Sequence, residues 1–241
     1  MKIIKSIYTL YSALVFAALM ILFGFFIVIP LFLSSKGAKV SFIFIRLWAG
    51  IWAFLSGIRY EIHGKEFIDP KQPYIYIFNH RSFIDAPLIP LAIPQEVRAI
   101  GKKELSKIPL FGSVVGRFAV WVDRANPESR KESLAKLLTI LKTGKSIVVA
   151  PEGTRNNTKE TLLPFQKGAF RLSIETQVPI MPIAFIGAEK IMKRGSLLLS
   201  PGKVHLYFSA PISPPEPSEQ AIPEFLEKCK NRLEAMVLTH E

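Results

Sequence analysis

Tyr74-Ile75-Tyr76-Ile77-Phe78-Asn79-His80-Arg81-Ser82-Phe83-Ile84-Asp85 decides how this chain folds and where its chemistry sits. Its first five residues are β-branched or aromatic and are bounded by polar residues, the pattern of a buried strand. Such a strand delivers one imidazole and one carboxylate to its carboxyl end, where open α/β sheets hold their sites. About seventy residues on, Ser146-Ile147-Val148-Val149-Ala150 repeats the pattern and is followed by Pro151-Glu152-Gly153-Thr154-Arg155. A base at the end of one strand and an anion binder at the end of another point to transfer chemistry on a phosphorylated hydroxyl compound.

Working outward, the spacing of apolar runs predicts strands at 60–63, 97–100, 119–122, 180–185 and 204–208 besides 74–78 and 146–150. Helical patterns alternate with them, as in an α/β domain. The clearest helix lies between Asn126 and Gly144. Asn126 suits the N-cap, Pro127 the first helical position and Glu128 the first turn. Leu134, Leu137, Leu138 and Leu141 form an i, i+3, i+4, i+7 stripe, which is core packing, and Gly144 suits a left-handed stop. Further helices are expected at 167–176 and 222–238, with the Pro-rich stretch 210–217 as the connection before the last.

His80 and Asp85 are five residues apart. On a regular helix that is about 500°, which leaves roughly 140° between the side chains. They cannot share one helical face. The histidine therefore belongs in the strand-to-helix turn, with Asp85 in the first helical turn reaching back. A carboxylate there accepts from one ring nitrogen, fixes the tautomer and stabilises the imidazolium formed when the other nitrogen takes a proton. This is a Ser-His-Asp arrangement without the protein nucleophile. Ser82 lacks the G-x-S-x-G elbow. A substrate hydroxyl is the better attacking group, with His80 as its general base.

In 151–155, Gly153 permits a tight turn and Arg155 offers a planar fork of donors for phosphate or carboxylate. Glu152 either positions a substrate hydroxyl or holds Arg155. Lys102, in Gly101-Lys102-Lys103-Glu104-Leu105, and Arg124, in Val122-Asp123-Arg124, are further basic positions at strand ends. No Walker A loop or G-x-G-x-x-G fingerprint is present. His63, His80, His205 and His240 are scattered without metal-ligand spacing, so no metal site is expected. The single cysteine, Cys229, excludes an intrachain disulfide and falls in a helical pattern.

The amino terminus is a different material. No charge occurs from 6 to 35, and 7–33 is longer than the roughly 20 residues needed to cross a bilayer as a helix. A second apolar stretch, 40–58, is interrupted by Arg46 and carries Trp48 and Trp52, which suit the headgroup boundary. The expected division is a membrane-anchoring helical segment at 1–58 and an α/β domain at 59–241. Lys2, Lys5, Lys36 and Lys39 flank the first stretch on both sides. They leave open a single span or a helical pair dipping into one leaflet, and the broken second stretch leans toward the pair. Against 19 Asp+Glu the chain has 31 Lys+Arg, a formal charge of +12. With an apolar terminus and no nucleic-acid motif, that excess favours an anionic membrane surface over nucleic acid.

At this point four blocks, in order, resemble the 1-acylglycerol-3-phosphate acyltransferase family, glycerolipid acyltransferases with an H-x-x-x-x-D motif. They are Asn79–Asp85, Gly101–Leu105 with Val122-Asp123-Arg124, Pro151–Arg155, and Val178-Pro179-Ile180-Met181-Pro182-Ile183-Ala184. The one departure is Ala150, where many members carry an aromatic residue. The resemblance covers roughly 60–208. It implies a mixed central sheet flanked by helices, with an N-terminal apolar helical membrane anchor. It implies transfer of a fatty acyl group from a thioester to the free hydroxyl of 1-acylglycerol 3-phosphate, making phosphatidic acid. His80 would be the base and Asp85 its partner. Arg155, with Lys102 or Arg124, would hold the acceptor phosphate beside Glu152, Gly153 and Thr154. The donor would be an acyl-carrier protein or coenzyme A thioester, with no cofactor, and the catalytic domain would face the cytoplasm. Two alternatives stand beside this: the same reaction on another lyso-lipid or glycerol 3-phosphate, and a non-catalytic protein binding anionic lipid.

Overall fold

The computed structural model describes residues 2–33, 37–109, 111–193 and 195–241. Lys36, one of the flanking charges above, lies outside them. Helices α1 (Lys2–Val28), α2 (Pro30–Leu33) and α3 (Gly37–Leu55) come first. The strands are β1 (Ile58–His63), β2 (Ile75–Phe78), β3 (Val97–Lys102), β4 (Ala119–Val122), β5 (Ser146–Val149), β6 (Ile180–Ile186) and β7 (Gly202–Phe208). Between and after them run α4 (Asp85–Ala92), α5 (Phe111–Val115), α6 (Pro127–Lys142), α7 (Gly168–Thr176), α8 (Ala188–Ile191) and α9 (Ile222–His240).

The strands form one sheet in the order β1-β7-β6-β2-β5-β3-β4. From β6 to β4 all neighbours are parallel; β7 is antiparallel to β6, and β1 is parallel to β7. The sheet is therefore mixed, and all seven expected strands are present. β2 lies at its centre and is buried along its whole length. Because side chains alternate across a strand, Tyr76 and Phe78 feed one core with Trp48, Leu88 and Phe185, whereas Ile75 and Ile77 feed the other with Leu137, Phe170 and Leu233. The first core lies under α1, α3 and α4, the second under α6, α7 and α9. Asn126 caps α6, its side chain accepting from the N–H groups of Glu128 and Ser129, with Pro127 in the first turn. Gly144 follows with φ 76°.

Helices α1 and α3 form an antiparallel hairpin. Tyr8 donates to the carbonyl of Ser56, the Ser12 and Ser56 hydroxyls lie 2.7 Å apart, and Trp52 Nε1 donates to the Ser12 carbonyl at 3.2 Å. Phe16 meets Trp48 and Trp52 edge-on, and Phe26 stacks on Phe44. The hairpin does not stand away from the sheet domain. Phe42 packs on Phe118, Gly24 faces Val114 and Gly50 faces Leu91. Its inner face thus shares the first core with the sheet, and residue 58 marks a change of composition inside continuous packing. The outer face is bare: Ile3, Ile7, Leu10, Leu14, Ile21 and Phe25 form one exposed stripe, with Val40, Ile43, Leu47, Ile51 and Phe54 beside it. By length and composition both helices are able to cross a bilayer.

Candidate active site

Phe78 ends β2, and Asn79 then takes the place of a further strand residue. Its Nδ2 donates to the Phe185 carbonyl at 2.9 Å, and its Oδ1 accepts the Phe185 N–H at 2.7 Å. The side chain satisfies the β6 edge, which releases the main chain at His80 to leave the sheet. Helix α4 begins at Asp85, and its carboxylate reaches back over the turn. Oδ2 accepts from His80 Nδ1 at 2.7 Å, from the Arg81 N–H at 3.1 Å and from the Ser82 N–H at 3.0 Å. Asp85 is fully buried; the His80 side chain keeps 22% of its surface exposed. An ionised carboxylate only accepts, so Nδ1 carries the proton and Nε2 the lone pair. Nε2 has no hydrogen-bond partner among the described residues. The Phe78 ring packs edge-on against the imidazole at 5.5 Å.

The segment after β5 fixes this turn from the other side. Glu152 is buried, and each of its carboxylate oxygens accepts one backbone N–H: His80 at 2.8 Å and Leu163 at 2.9 Å. The Asn156 N–H donates to the His80 carbonyl at 2.6 Å. Both main-chain groups of His80 are thus held by one neighbouring loop. The two roles open for Glu152 from the sequence, a substrate hydroxyl or Arg155, omitted this one. Burial raises its pKa above the usual carboxylate range, and the two N–H donors partly offset that. Gly153 makes the turn possible: its φ is 69°, and its N–H closes onto the Ala150 carbonyl at 3.0 Å.

Arg155 is half-buried, and its guanidinium lies 3.3 Å from the centroid of the Phe83 ring. Phe83 lies between His80 and Asp85 in sequence, so this stack brings the 151–155 turn beside the His80–Asp85 turn. Arg124 donates to the Gly153 carbonyl, which joins the end of β4 to the same turn. Partial burial lowers its pKa and the charge of Glu104 opposes that. Lys102 ends β3 with its Nζ 3.2 Å from the exposed Glu104 carboxylate. Thr154 is exposed on the turn.

Arg81 was not singled out by the sequence reading, yet its guanidinium donates to the carbonyls of Glu160 and Thr161, both at 3.0 Å, and lies 3.6 Å from Glu241. It straps the His80–Asp85 turn to the loop after β5 and to the end of α9. Its place next to His80 was the only signal. Ser82 is buried; its hydroxyl donates to the Met192 carbonyl at 2.6 Å and accepts the Ile84 N–H at 3.3 Å, which suits a turn-former. Cys229 is buried in α9, and burial pushes its thiol up to about 12, an inert packing residue. The histidines are scattered along the chain, but the β1–β7 pairing brings His63 and His205 together with Glu61.

Within this geometry the comparisons with known proteins take their meaning. Residues 59–186 match the acyltransferase family, a span that holds His80, Asp85, Lys102, Arg124 and the Glu152–Arg155 turn. The chain is 34% identical over 176 residues to a 1-acyl-sn-glycerol-3-phosphate acyltransferase of Cocos nucifera, covering 72% of this chain and 56% of the relative. It is 34% identical over 170 residues to the chloroplastic BAT2 enzyme of that name from Brassica napus, covering 69% and 48%. To the Saccharomyces cerevisiae 1-acyl-sn-glycerol-3-phosphate acyltransferase it is 29% identical over 235 residues, covering 95% and 77%. The chain thus spans about half the length of those two plant relatives. A crystal structure of the 1-acyl-sn-glycerophosphate (LPA) acyltransferase PlsC from Thermotoga maritima superposes with TM-score 0.82 at 27% identity, covering 100% of this chain and 98% of that one. A matched span of more than half the chain, with the His80–Asp85 pair and the Arg155 turn inside it, makes this chain a member of the acyltransferase family.

Proposed function

We propose that this chain transfers a fatty acyl group from an acyl thioester to the free hydroxyl of 1-acylglycerol 3-phosphate, producing phosphatidic acid. One observation carries the reading: the 2.7 Å bond between His80 Nδ1 and the buried Asp85 carboxylate, in a turn that Arg155 also reaches through Phe83. Nε2 removes the proton of the acceptor hydroxyl as that oxygen attacks the thioester carbonyl. The C–S bond then breaks, and the thiolate leaves with the proton from the imidazolium. A thioester is already activated, so a steadied base is sufficient without a protein nucleophile. Arg155 holds the acceptor phosphate by paired N–H donors, and Arg124 and Lys102 add positive charge at neighbouring strand ends. The donor is a coenzyme A or acyl-carrier-protein thioester.

The acceptor is half in the bilayer, and the hairpin brings the site to it. The exposed stripe runs along the whole of α1, and residues as far along as Gly24 and Phe42 pack on the sheet domain. A helix covered by protein on one side along most of its length is suited to lying in one leaflet. The sheet domain then rests on the cytoplasmic surface, where its basic excess meets anionic lipid.

The test is incubation of the purified protein with lysophosphatidic acid and acyl thioesters of both kinds and several lengths, read by lipid mass spectrometry. Phosphatidic acid is the expected product, with His80→Ala inactive. No acyl transfer from any thioester, or a His80→Ala variant that keeps most of the activity, refutes the reading.

A further inference from the structure

On the edge of the sheet, where β1 lies three places from β2, three ligand-type atoms converge. Glu61 and His63 are two apart on β1 and so share a face. His205 is the register partner of Glu61 on β7. His63 Nε2 lies 3.3 Å from His205 Nδ1, His205 Nδ1 lies 3.3 Å from Glu61 Oε2, and His63 Nε2 lies 3.9 Å from the same oxygen. The three side chains are partly exposed, so solvent ions reach them.

Hydrogen bonding uses only two edges of this triangle. A proton on His205 Nδ1 reaches both Glu61 Oε2 and His63 Nε2 only as a shared, three-centre donor, and the remaining edge, 3.9 Å, is too long for a hydrogen bond. A single cation at the centre satisfies all three lone pairs together. With metal–nitrogen bonds of about 2.0–2.1 Å, the edge of a tetrahedron is about 3.3–3.4 Å. Two of the observed edges have that length and the third is longer by about half an ångström.

The surroundings are those of a ligand set held in place. The other oxygen of Glu61 pairs with Lys203 Nζ at 2.6 Å, which leaves Oε2 as a single ligand atom. His63 stacks on Tyr207 at 4.4 Å, and Tyr207 stacks on His240 at 3.6 Å, which fixes the ring planes against the end of α9. Lys203 also repels a cation, so the site requires the strong bonding of imidazole rather than charge alone.

We propose that Glu61, His63 and His205 bind one zinc-class divalent cation, with a fourth, tetrahedral position left for water. Two imidazoles and one carboxylate suit zinc and exclude the hard cations calcium and magnesium, which prefer all-oxygen shells. The ion staples edge strand β1 to β7. Because β1 follows directly from α3, it also fastens the apolar hairpin to the sheet. The site does not touch the His80–Asp85 turn, so it acts on structure and not on the acyl transfer.

Untagged, chelator-treated protein in detergent is titrated with zinc chloride by calorimetry, and separately with cobalt(II) followed by visible absorption. One equivalent is expected to bind with Kd below about 10 μM. Cobalt is expected to give the intense bands of a tetrahedral site. His63→Ala, His205→Ala and Glu61→Gln should each weaken zinc at least tenfold, the size expected for loss of a ligand or its support, while His80→Ala leaves binding unchanged. Thermal melts without metal establish that each variant is folded, and Glu61→Gln preserves shape should an alanine variant fail. Zinc binding weaker than about 100 μM, or tight binding that survives in folded His205→Ala or Glu61→Gln, overturns the proposal.

Discussion

Replacing Asp85 by asparagine separates two things a carboxylate does for a histidine. Three donors converge on Oδ2: His80 Nδ1 and the N–H groups of Arg81 and Ser82. An asparagine amide turned with its NH2 toward them would meet three N–H groups, so its oxygen must take that place. The His80 tautomer and ring position are then retained, and only the negative charge is lost. A charge pair at about 4 Å in an effective dielectric of about 20 is worth about 4 kcal/mol. The His80 ring is partly exposed, so about half to three-quarters of this is a fair share, or about 2–3 kcal/mol. At 1.36 kcal/mol per decade, kcat should fall about 30- to 150-fold. Asp85→Ala removes the orienting acceptor too and should fall about 10⁴-fold, the order of loss when the carboxylate of a Ser-His-Asp set is removed outright. Initial rates of thiol release from an acyl thioester, at saturating lysophosphatidic acid, measure both. If Asp85→Asn keeps more than about a third of kcat, or is as inactive as Asp85→Ala, the reasoning from the three converging donors is wrong.

Arg155→Lys keeps the charge but loses the paired donors and the stacked plane on Phe83, so KM for lysophosphatidic acid should rise about tenfold or more, with a smaller change in kcat. An acceptor without phosphate should show no such rise. Glu152→Gln can satisfy only one of the two N–H groups its oxygens now accept, and should cost about 1–3 kcal/mol in chemical melts. The pKa of Glu152 is raised in the folded state; a raised folded-state pKa gives stability that is present below the ordinary carboxylate value near 4.5 and is lost as pH rises through the folded value. The deficit of Glu152→Gln should therefore be largest near pH 4 and shrink toward neutrality. Aspartate at Ile7, Leu14 and Ile21 together, all on the exposed stripe of α1, should abolish sedimentation with uncharged phosphatidylcholine vesicles while leaving the melt within a few degrees of the parent. Sedimentation at the parent's level would place the bilayer contact elsewhere.

Much of this protein is legible from short stretches of its chain. The central strands β2 and β5 are local runs of β-branched and aromatic residues, and the α6 cap is decided by Asn126-Pro127-Glu128. The His80–Asp85 pair is legible for the same reason. It spans six residues, and helical geometry forces the histidine into the turn and the carboxylate back over it. The apolar terminus is legible by composition as helix long enough to cross a bilayer, but a single span and a hairpin stay open until α1 is seen to pack on α3.

What the tertiary structure decided are the partnerships between stretches far apart. Glu152 was readable as a polar residue in a turn, but only the adjacency of β2 and β5 gives its carboxylate the main chain of His80. Arg81 is an ordinary basic residue until folding puts the carbonyls of Glu160 and Thr161 beside it. His63 and His205 are separated by 142 residues and become neighbours because β7 turns back antiparallel to β6 and pairs with β1. Local sequence fixes which residues bend, extend or coil, because those preferences reside in a few adjacent dihedrals and side chains. Strand order and direction depend on which faces the whole chain manages to bury, and no single stretch carries that information.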